Sequence, residues 1–130
     1  MAIDIAEYKT LYLKTGRDLI QSMKTALQQM NNDACNQDAI GNFHRAAHSF
    51  KSQSLVMGYT QTGLVAKILE QLFRDMKEQV RCVTQQTIPL ITHTVQKLDE
   101  SLNSIENQTG ELDFTQETQE LSKLTSIPVL

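Results

Sequence analysis

Apolar residues recur every three or four positions along most of the chain, which is the spacing of one face of an α-helix. Glycine and proline, which interrupt helices, are sparse and fall between these periodic segments. The sequence shows no strand-like alternation of apolar and polar residues. The pattern therefore predicts an all-α chain of four long helices and a short fifth one.

Polar stretches, glycine and proline define where the predicted long helices begin and end. Gly58 stands where a left-handed C-cap would close the second helix. Thr60 is suited to cap the third helix, and Pro89 suits the first turn of the fourth, which begins near Thr87. The expected ranges of the four long helices are about 3–31, 37–57, 61–85 and 87–110.

The remaining residues predict a short C-terminal helix. Asp113 followed three residues later by Gln116 resembles a capping box that opens this helix, and Pro128 is expected to end it. Short connections between long amphipathic helices favour antiparallel neighbours. We therefore expect one domain over residues 1–130, an up-down antiparallel four-helix bundle with a short fifth helix. The residues expected to face its core include Ile5, Tyr8, Phe43, Phe50, Phe73, Val80, Phe114 and Leu124.

Composition narrows the class of protein. The chain has 130 residues, of which 40% are hydrophobic, and a formal net charge of -3. This length suffices for one ordinary core, and the apolar fraction is too high for a disordered tail. Without a basic block, we expect neither nucleic acid nor a membrane surface as a partner. The sequence has no apolar run near 20 residues and no signal-peptide pattern, so a cytoplasmic location is expected.

The chain contains two cysteines, Cys35 and Cys82. Their spacing matches neither a metal-ligand motif nor a disulfide framework. Because disulfides are rare in the cytoplasm, we expect both residues to be reduced structural or surface thiols.

His48 is the candidate for chemistry. Its neighbour Ala47 belongs to the apolar seam of the second helix, and one position is about 100° of rotation, so His48 lies at the flank of the buried face. A neutral imidazole held there is a competent nucleophile near pH 7. Two alternatives remain: a half-buried histidine satisfied by a carboxylate, or a zinc pair with His44 that would need further ligands.

The residues around His48 on this flank are small or basic. Arg45 and Lys51 would favour an anionic group near the ring, and Ser52 leaves room for another protein to approach. The flank comprises Gly41, His44, Arg45, Lys51, Ser52 and Leu55.

The segment Phe-His-Arg-Ala-Ala-His-Ser-Phe-Lys at 43–51, together with Gly58 and Glu70, resembles the histidine phosphotransfer (HPt) domain family. The likeness is strongest to the N-terminal phosphotransfer domains of chemotaxis histidine kinases of the CheA type. The matching features are the Arg-Ala-Ala-His-Ser string, a lysine three residues after the histidine, a glycine ten after it and a glutamate 22 after it. One position departs from the pattern, since Ser52 stands where many members have glycine.

The resemblance implies a role for each matched residue. His48 would accept the γ-phosphoryl group of ATP from a histidine kinase catalytic domain and pass it to an aspartate of a response-regulator receiver domain. Lys51 would stabilise the phosphoryl charge. Glu70 would accept a hydrogen bond from Nδ1–H of His48 and leave Nε2 to attack, although Glu70 could equally pair with Arg74 four residues along. The positions expected to meet these partners are His44, Arg45, Ser52 and Leu55.

The same resemblance implies a carrier rather than a catalyst acting alone. ATP and Mg²⁺ would come with the partner domains, so no cofactor or metal is expected in this domain. The isolated domain is expected to be monomeric and to be the N-terminal part of a CheA-like kinase. The alternatives are a free-standing shuttle protein and a helical adaptor that has lost phosphotransfer.

Overall fold

The computed structural model describes residues 4–124, and within that range the chain forms five α-helices and no strand. The predicted all-α fold is therefore confirmed. No helix in this range is long and apolar enough to cross a bilayer. The helices are α1 (Ile5–Asn32), α2 (Gln37–Val56), α3 (Thr60–Glu78), α4 (Ile88–Glu106) and α5 (Thr115–Ser122).

The four long helices form an up-down bundle. α2 packs against both α1 and α3, α1 also packs against α4, and α5 lies against α3 and α4. Arg17 and Lys24 of α1 pair with Glu106 and Asp99 of α4 at 2.8 and 2.9 Å. The earlier residue of α1 pairs with the later residue of α4, and the later residue of α1 with the earlier one of α4, so the two helices are antiparallel.

The core is apolar and runs through all five helices. The four phenylalanines of the chain, Phe43, Phe50, Phe73 and Phe114, are fully buried, as the periodicity predicts. The rings of Phe43 and Phe73 stack with centroids 3.9 Å apart and join α2 to α3. Burial of one such side chain contributes roughly 1.5–3 kcal/mol, so this contact helps to hold the two helices that carry the candidate site.

Four residues predicted to face the core are exposed instead: Ile5, Tyr8, Val80 and Leu124. Ile5 and Tyr8 lie in the first turns of α1, which has 28 residues against 20 and 19 for its neighbours α2 and α4, so its start extends beyond their cover. Val80 and Leu124 follow the ends of their helices. The apolar periodicity continued past the points at which the helices stop.

α2 ends at the predicted glycine. Gly58 has φ +85°, and the amide of Tyr59 donates to the carbonyl of Ser54 at 2.9 Å, which is a Schellman motif. The left-handed conformation is accessible to glycine without a steric cost. The sequence signal and the structure therefore agree at this helix end.

α3 ends by the same motif without a glycine. Val80 takes φ 49°, and the amide of Arg81 donates to the carbonyl of Met76 at 2.9 Å. The prediction that this helix continues to residue 85 is wrong, because a left-handed valine stops it at Glu78 and no glycine marks the position. A β-branched residue in this conformation is strained.

The predicted cap of α3 is also wrong. Thr60 is the first helical residue and not the cap. The carboxylate of Glu111 instead accepts hydrogen bonds from the amide and hydroxyl of Thr62, at 2.7 and 2.8 Å. A carboxylate from the α4–α5 connection thus satisfies the N-terminus of α3, where negative charge is favourable.

α4 begins as predicted, with Pro89 in its first turn. The capping box predicted for α5 does not form. Asp113 accepts from the amide of Thr115 at 2.8 Å, while the Gln116 side chain donates to Glu120. The end predicted for this helix at Pro128 lies outside the described residues.

Cys35 and Cys82 form a disulfide, so the prediction of two reduced thiols is wrong for this structure. Cys35 lies in the α1–α2 connection and Cys82 in the α3–α4 connection, and the up-down topology brings both connections to the same end of the bundle. The amide of Val83 donates to the carbonyl of Ala34 at 2.9 Å beside the bridge. A separation of 47 residues gave no sign of this proximity.

Candidate functional site

His48 lies on the flank of α2, as its position beside the seam predicts. Ala47 is fully buried, whereas the side chain of His48 is 55% exposed. The Nδ1 atom of His48 lies 3.2 Å from Oε2 of Glu70 on α3. Nε2 has no hydrogen-bond partner among residues 4–124. The ring is thus held at one nitrogen and accessible to solvent at the other.

Glu70 is the centre of the cluster. It is only 3% exposed, and its oxygens lie 2.8 Å from Nζ of Lys51 and 2.7 Å from a guanidinium nitrogen of Arg74. The two interpretations of Glu70, as partner of His48 and as partner of Arg74, therefore hold together. Burial would raise the pKa of Glu70, but hydrogen bonds from Lys51 and His48 outweigh it and hold the pKa below its usual value.

An ionised Glu70 defines the tautomer of His48. A carboxylate has only acceptors, so the ring must donate from Nδ1 and keep its lone pair on Nε2. Lys51 and Arg74 bring two positive charges against the single negative charge of Glu70. The excess positive charge favours an anionic group at the open side of the ring.

His44 and Arg45, one turn before His48, differ in exposure. His44 is half-buried, and its Nε2 is buried without a hydrogen-bond partner among residues 4–124. Burial lowers the pKa of His44, although Glu70 opposes this effect. Arg45 is exposed and donates to Asn42. Across residues 4–124, no cluster of three or more histidine, cysteine or acidic side chains is arranged to hold a metal ion.

Ser52 and Leu55 lie on the same exposed face. The Ser52 hydroxyl donates to the backbone carbonyl of His48 at 3.1 Å, so it is turned onto its own helix. Leu55 is 46% exposed and covers Gly63 of α3, where an added Cβ would lie 2.4 Å from the Leu55 Cδ2 atom. As long as Leu55 keeps this position, the α2–α3 crossing therefore requires glycine at position 63.

An apolar groove between α1 and α2 begins at Ser52, and sequence reasoning missed it. Its volume is about 320 Å³. The available signal was the pair Leu11 and Val56, two apolar residues outside the predicted seams that are 59% and 85% exposed. The groove is lined mainly by Tyr8, Leu11, Tyr12, Ser52, Val56 and Met57.

A second histidine, which sequence reasoning did not single out, is held in a similar way. The side chain of His93 on α4 is 63% exposed, and its Nε2 lies 3.2 Å from Oε2 of the buried Glu117 on α5. Nζ of Lys97 lies 3.0 and 3.1 Å from the two oxygens of Glu117. The only sequence signal was a lysine four residues after the histidine, because Glu117 comes from another helix.

Comparisons with curated proteins find chemotaxis proteins. The chemotaxis protein CheA of Halobacterium salinarum is 24% identical over 107 residues, which are 82% of this chain and 16% of that protein. CheA of Listeria monocytogenes is 22% identical over 97 residues, which are 75% of this chain and 16% of that protein. The chain thus spans less than a fifth of the length of these relatives.

A solved structure shares the fold. The phosphorylated P1 domain of CheA3 from R. sphaeroides, in complex with CheY6, matches with a TM-score of 0.81 and 20% identity, over 91% of this chain and 95% of that one. In addition, residues 7–108, most of the chain, match the Hpt domain family. The resemblance inferred from residues 43–51, Gly58 and Glu70 is therefore confirmed, and the chain belongs to the Hpt domain family.

Proposed function

We propose that this chain carries phosphoryl groups in a phosphorelay. His48 accepts a phosphoryl group from a histidine kinase catalytic domain and passes it to an aspartate of a response-regulator receiver domain. The observation that carries this proposal is an exposed imidazole whose Nδ1 lies 3.2 Å from a buried carboxylate, Glu70. Membership of the Hpt family supports it.

The geometry supplies a nucleophile. With Nδ1–H donating to Glu70, Nε2 of His48 forms a bond to the γ-phosphorus of ATP while the bond to the bridging oxygen breaks and ADP leaves. In the second transfer an aspartate oxygen bonds to the phosphorus and the N–P bond breaks. The positive charge that the ring gains between the two steps lies against Glu70.

Lys51 and Arg74 are proposed to supply charge compensation. Nζ of Lys51 lies one turn after His48 and contacts Glu70, with its side chain 21% exposed. A lysine has three donors on a flexible stem, so Lys51 can turn from Glu70 toward a phosphoryl oxygen. Arg74 would then keep Glu70 neutralised at 2.7 Å.

The partners follow from the same proposal. The kinase domain supplies ATP and Mg²⁺, and the receiver domain docks on the face that contains Arg45, Ser52 and Leu55, with the half-buried His44 behind it. The likeness to a P1 domain described in complex with CheY6 supports a receiver as a partner. The chain would act as a monomer in the cytoplasm, away from nucleic acid and membrane. In that reducing compartment the exposed Cys35–Cys82 pair would open to thiols.

The curated relatives favour one arrangement of the whole protein. They are CheA proteins about six times as long as their match to this chain. We therefore favour the N-terminal domain of a CheA-like kinase over a free-standing shuttle that serves a separate kinase. Both arrangements require the same chemistry at His48.

The experiment combines the chain with a CheA-type catalytic domain, Mg²⁺ and γ-labelled ATP. We expect an acid-labile, alkali-stable label that is lost in His48→Gln and that moves to a receiver domain when one is added. His93→Gln is the matched control and should keep the label. No label from a kinase that phosphorylates its own HPt domain would instead indicate an adaptor that has lost phosphotransfer. An unchanged label in His48→Gln would show that His48 is not the phosphoacceptor.

A further inference from the structure

The cluster around His93 repeats the components of the His48 site. Each has an exposed imidazole, a buried carboxylate from a different helix on one ring nitrogen, and a lysine one turn later on that carboxylate. We propose that His93 is a second phosphoacceptor, modified on Nδ1 by a small donor of the phosphoramidate class without a kinase. This proposal does not depend on phosphotransfer at His48.

Glu117 is held as an acceptor for the ring. It is 4% exposed, and Lys97 bonds both of its oxygens while also donating to the carbonyl of Asp113 at 2.6 Å. Burial would raise the pKa of Glu117, but hydrogen bonds, chiefly from Lys97, hold it below its usual value. Glu117 is therefore ionised near neutral pH and accepts the proton on Nε2 of His93.

The orientation of the ring decides which nitrogen reacts. At His48 the carboxylate holds Nδ1 and leaves Nε2 open, whereas at His93 it holds Nε2 and leaves Nδ1 open. A ring fixed in one tautomer has one nucleophilic nitrogen. Phosphorylation of the two histidines therefore gives two different isomers of phosphohistidine.

Access to Nδ1 of His93 is open. The ring is 63% exposed, and Pro89, Thr92 and Gln96 beside it on α4 are exposed as well. A histidine that only tied α5 to α4 would gain from burial of its ring, because the hydrogen bond to Glu117 is stronger away from water. The exposed ring leaves a nucleophile facing solvent.

One donor supplies every atom that the transfer needs. Phosphoramidate carries three protons on its nitrogen near neutral pH (H₃N⁺–PO₃²⁻), so the bond between phosphorus and nitrogen breaks and neutral ammonia leaves with that bond's electron pair. The lone pair on Nδ1 of His93 forms the new N–P bond, and the proton on Nε2 stays in place. The ring becomes a cation paired with Glu117, while Lys97 is one turn from the phosphoryl group.

The experiment uses His48→Gln, in which the His93 cluster is intact. This variant is incubated with phosphoramidate, and ³¹P and ¹H–¹⁵N NMR identify the phosphorylated nitrogen. We expect one phosphohistidine, at Nδ1 of His93, formed faster than in N-acetylhistidine under the same conditions. His48→Gln/His93→Gln should show none, and it reports any background at His44, the remaining histidine.

Glu117→Gln in the His48→Gln background tests the positioning role. The amide has nearly the shape of the carboxylate but can also donate, so the tautomer is no longer fixed. We expect the rate to fall roughly tenfold and both ring isomers to appear, while circular dichroism shows the helices retained. Modification of His93 on Nε2, or at the rate of N-acetylhistidine, or an unchanged isomer in Glu117→Gln, would overturn the proposal.

Discussion

His48 and His93 are held by the same kinds of side chain in opposite ring orientations. Glu70 contacts Nδ1 of His48, and Glu117 contacts Nε2 of His93, both at 3.2 Å. The side chains are similarly exposed, at 55% and 63%. A carboxylate behind an imidazole therefore does not by itself specify which ring nitrogen is left open; the direction from which it approaches does.

The two clusters differ in charge and support. Glu70 is matched by Lys51 and Arg74, whereas the only cation that contacts Glu117 among residues 4–124 is Lys97. The α2–α3 pair around His48 is the most extensive contact between helices, while Glu117 lies on an eight-residue helix. We therefore expect the His48 cluster to hold an anionic group more strongly and to tolerate more perturbation.

The largest expected effect comes from opening the disulfide. Closing a loop of 47 residues stabilises a fold by up to about 4 kcal/mol through the entropy of the unfolded chain. Reduction, or Cys35→Ser/Cys82→Ser, should lower the free energy of unfolding measured in urea toward that extent. The bridge anchors the connections into both α2 and α4, but α4 packs less extensively against its neighbours, so amide exchange should rise at 88–95 more than at 43–52. Equal loss of protection in both segments would contradict the expected difference in support.

The next largest effect compares Glu70 with Glu117 through the rate at which a kinase phosphorylates His48. Glu70→Gln should slow phosphorylation of His48 by a CheA-type kinase roughly 10–100-fold, because the ring loses the group that fixes its tautomer. Glu117→Gln should leave this rate within about twofold, since Glu117 contacts His93 and Lys97 and no residue of the His48 cluster. Initial rates of label transfer from ATP measure both variants. A similar loss in the two would show that the effect is one of stability.

Acid should weaken both clusters. Glu70 and Glu117 have lowered pKa values, so their stabilisation is present above the ordinary glutamate pKa of about 4.3 and is lost as pH falls through the lower folded value. Urea unfolding between pH 7 and pH 3 should show this loss. Glu70→Gln should reduce the pH dependence of the free energy of unfolding more than Glu117→Gln does. The reason is that two cations stabilise ionised Glu70, whereas one stabilises ionised Glu117. The reverse order would contradict the charge comparison.

The smallest expected effect concerns the residues that close α2 and α3. Gly58 follows α2, the helix of His48, and Val80 follows α3 in the connection toward α4, the helix of His93; both residues are left-handed. Val80→Gly should raise the free energy of unfolding by about 1 kcal/mol, because the valine is 72% exposed and loses strain but little packing. Gly58→Val is the matched reverse change and should be destabilising. Urea unfolding compares them, and no gain in Val80→Gly would mean that the valine carries no strain.

The fold could be predicted because helix periodicity is local. The five helices, their order and the buried phenylalanines follow from apolar spacing, and the end of α2 follows from Gly58. The end of α3 could not be predicted, because Val80 takes a conformation that its side chain disfavours. The cap of α3 could not be predicted either, because Glu111 lies 49 residues after Thr62 in the sequence.

The candidate site was predictable in part. The spacing of His48 from the apolar seam gave its place on the flank, and the family pattern pointed to Glu70 and Lys51 as its neighbours. The orientation of the ring and the added contact of Arg74 needed the structure. The half-buried position of His44 did too, because burial depends on what the other helices cover.

By itself, the sequence determined what depends on near neighbours: the helical periods, the mild net charge of -3 and the motif around His48 that resembles an HPt domain. Only the tertiary structure decided the Cys35–Cys82 bridge, the nitrogen that each carboxylate holds, and the pairing of His93 with Glu117. The physical reason is that helix formation responds to residues three and four positions apart. Contacts across 22 to 47 residues depend instead on how whole helices pack.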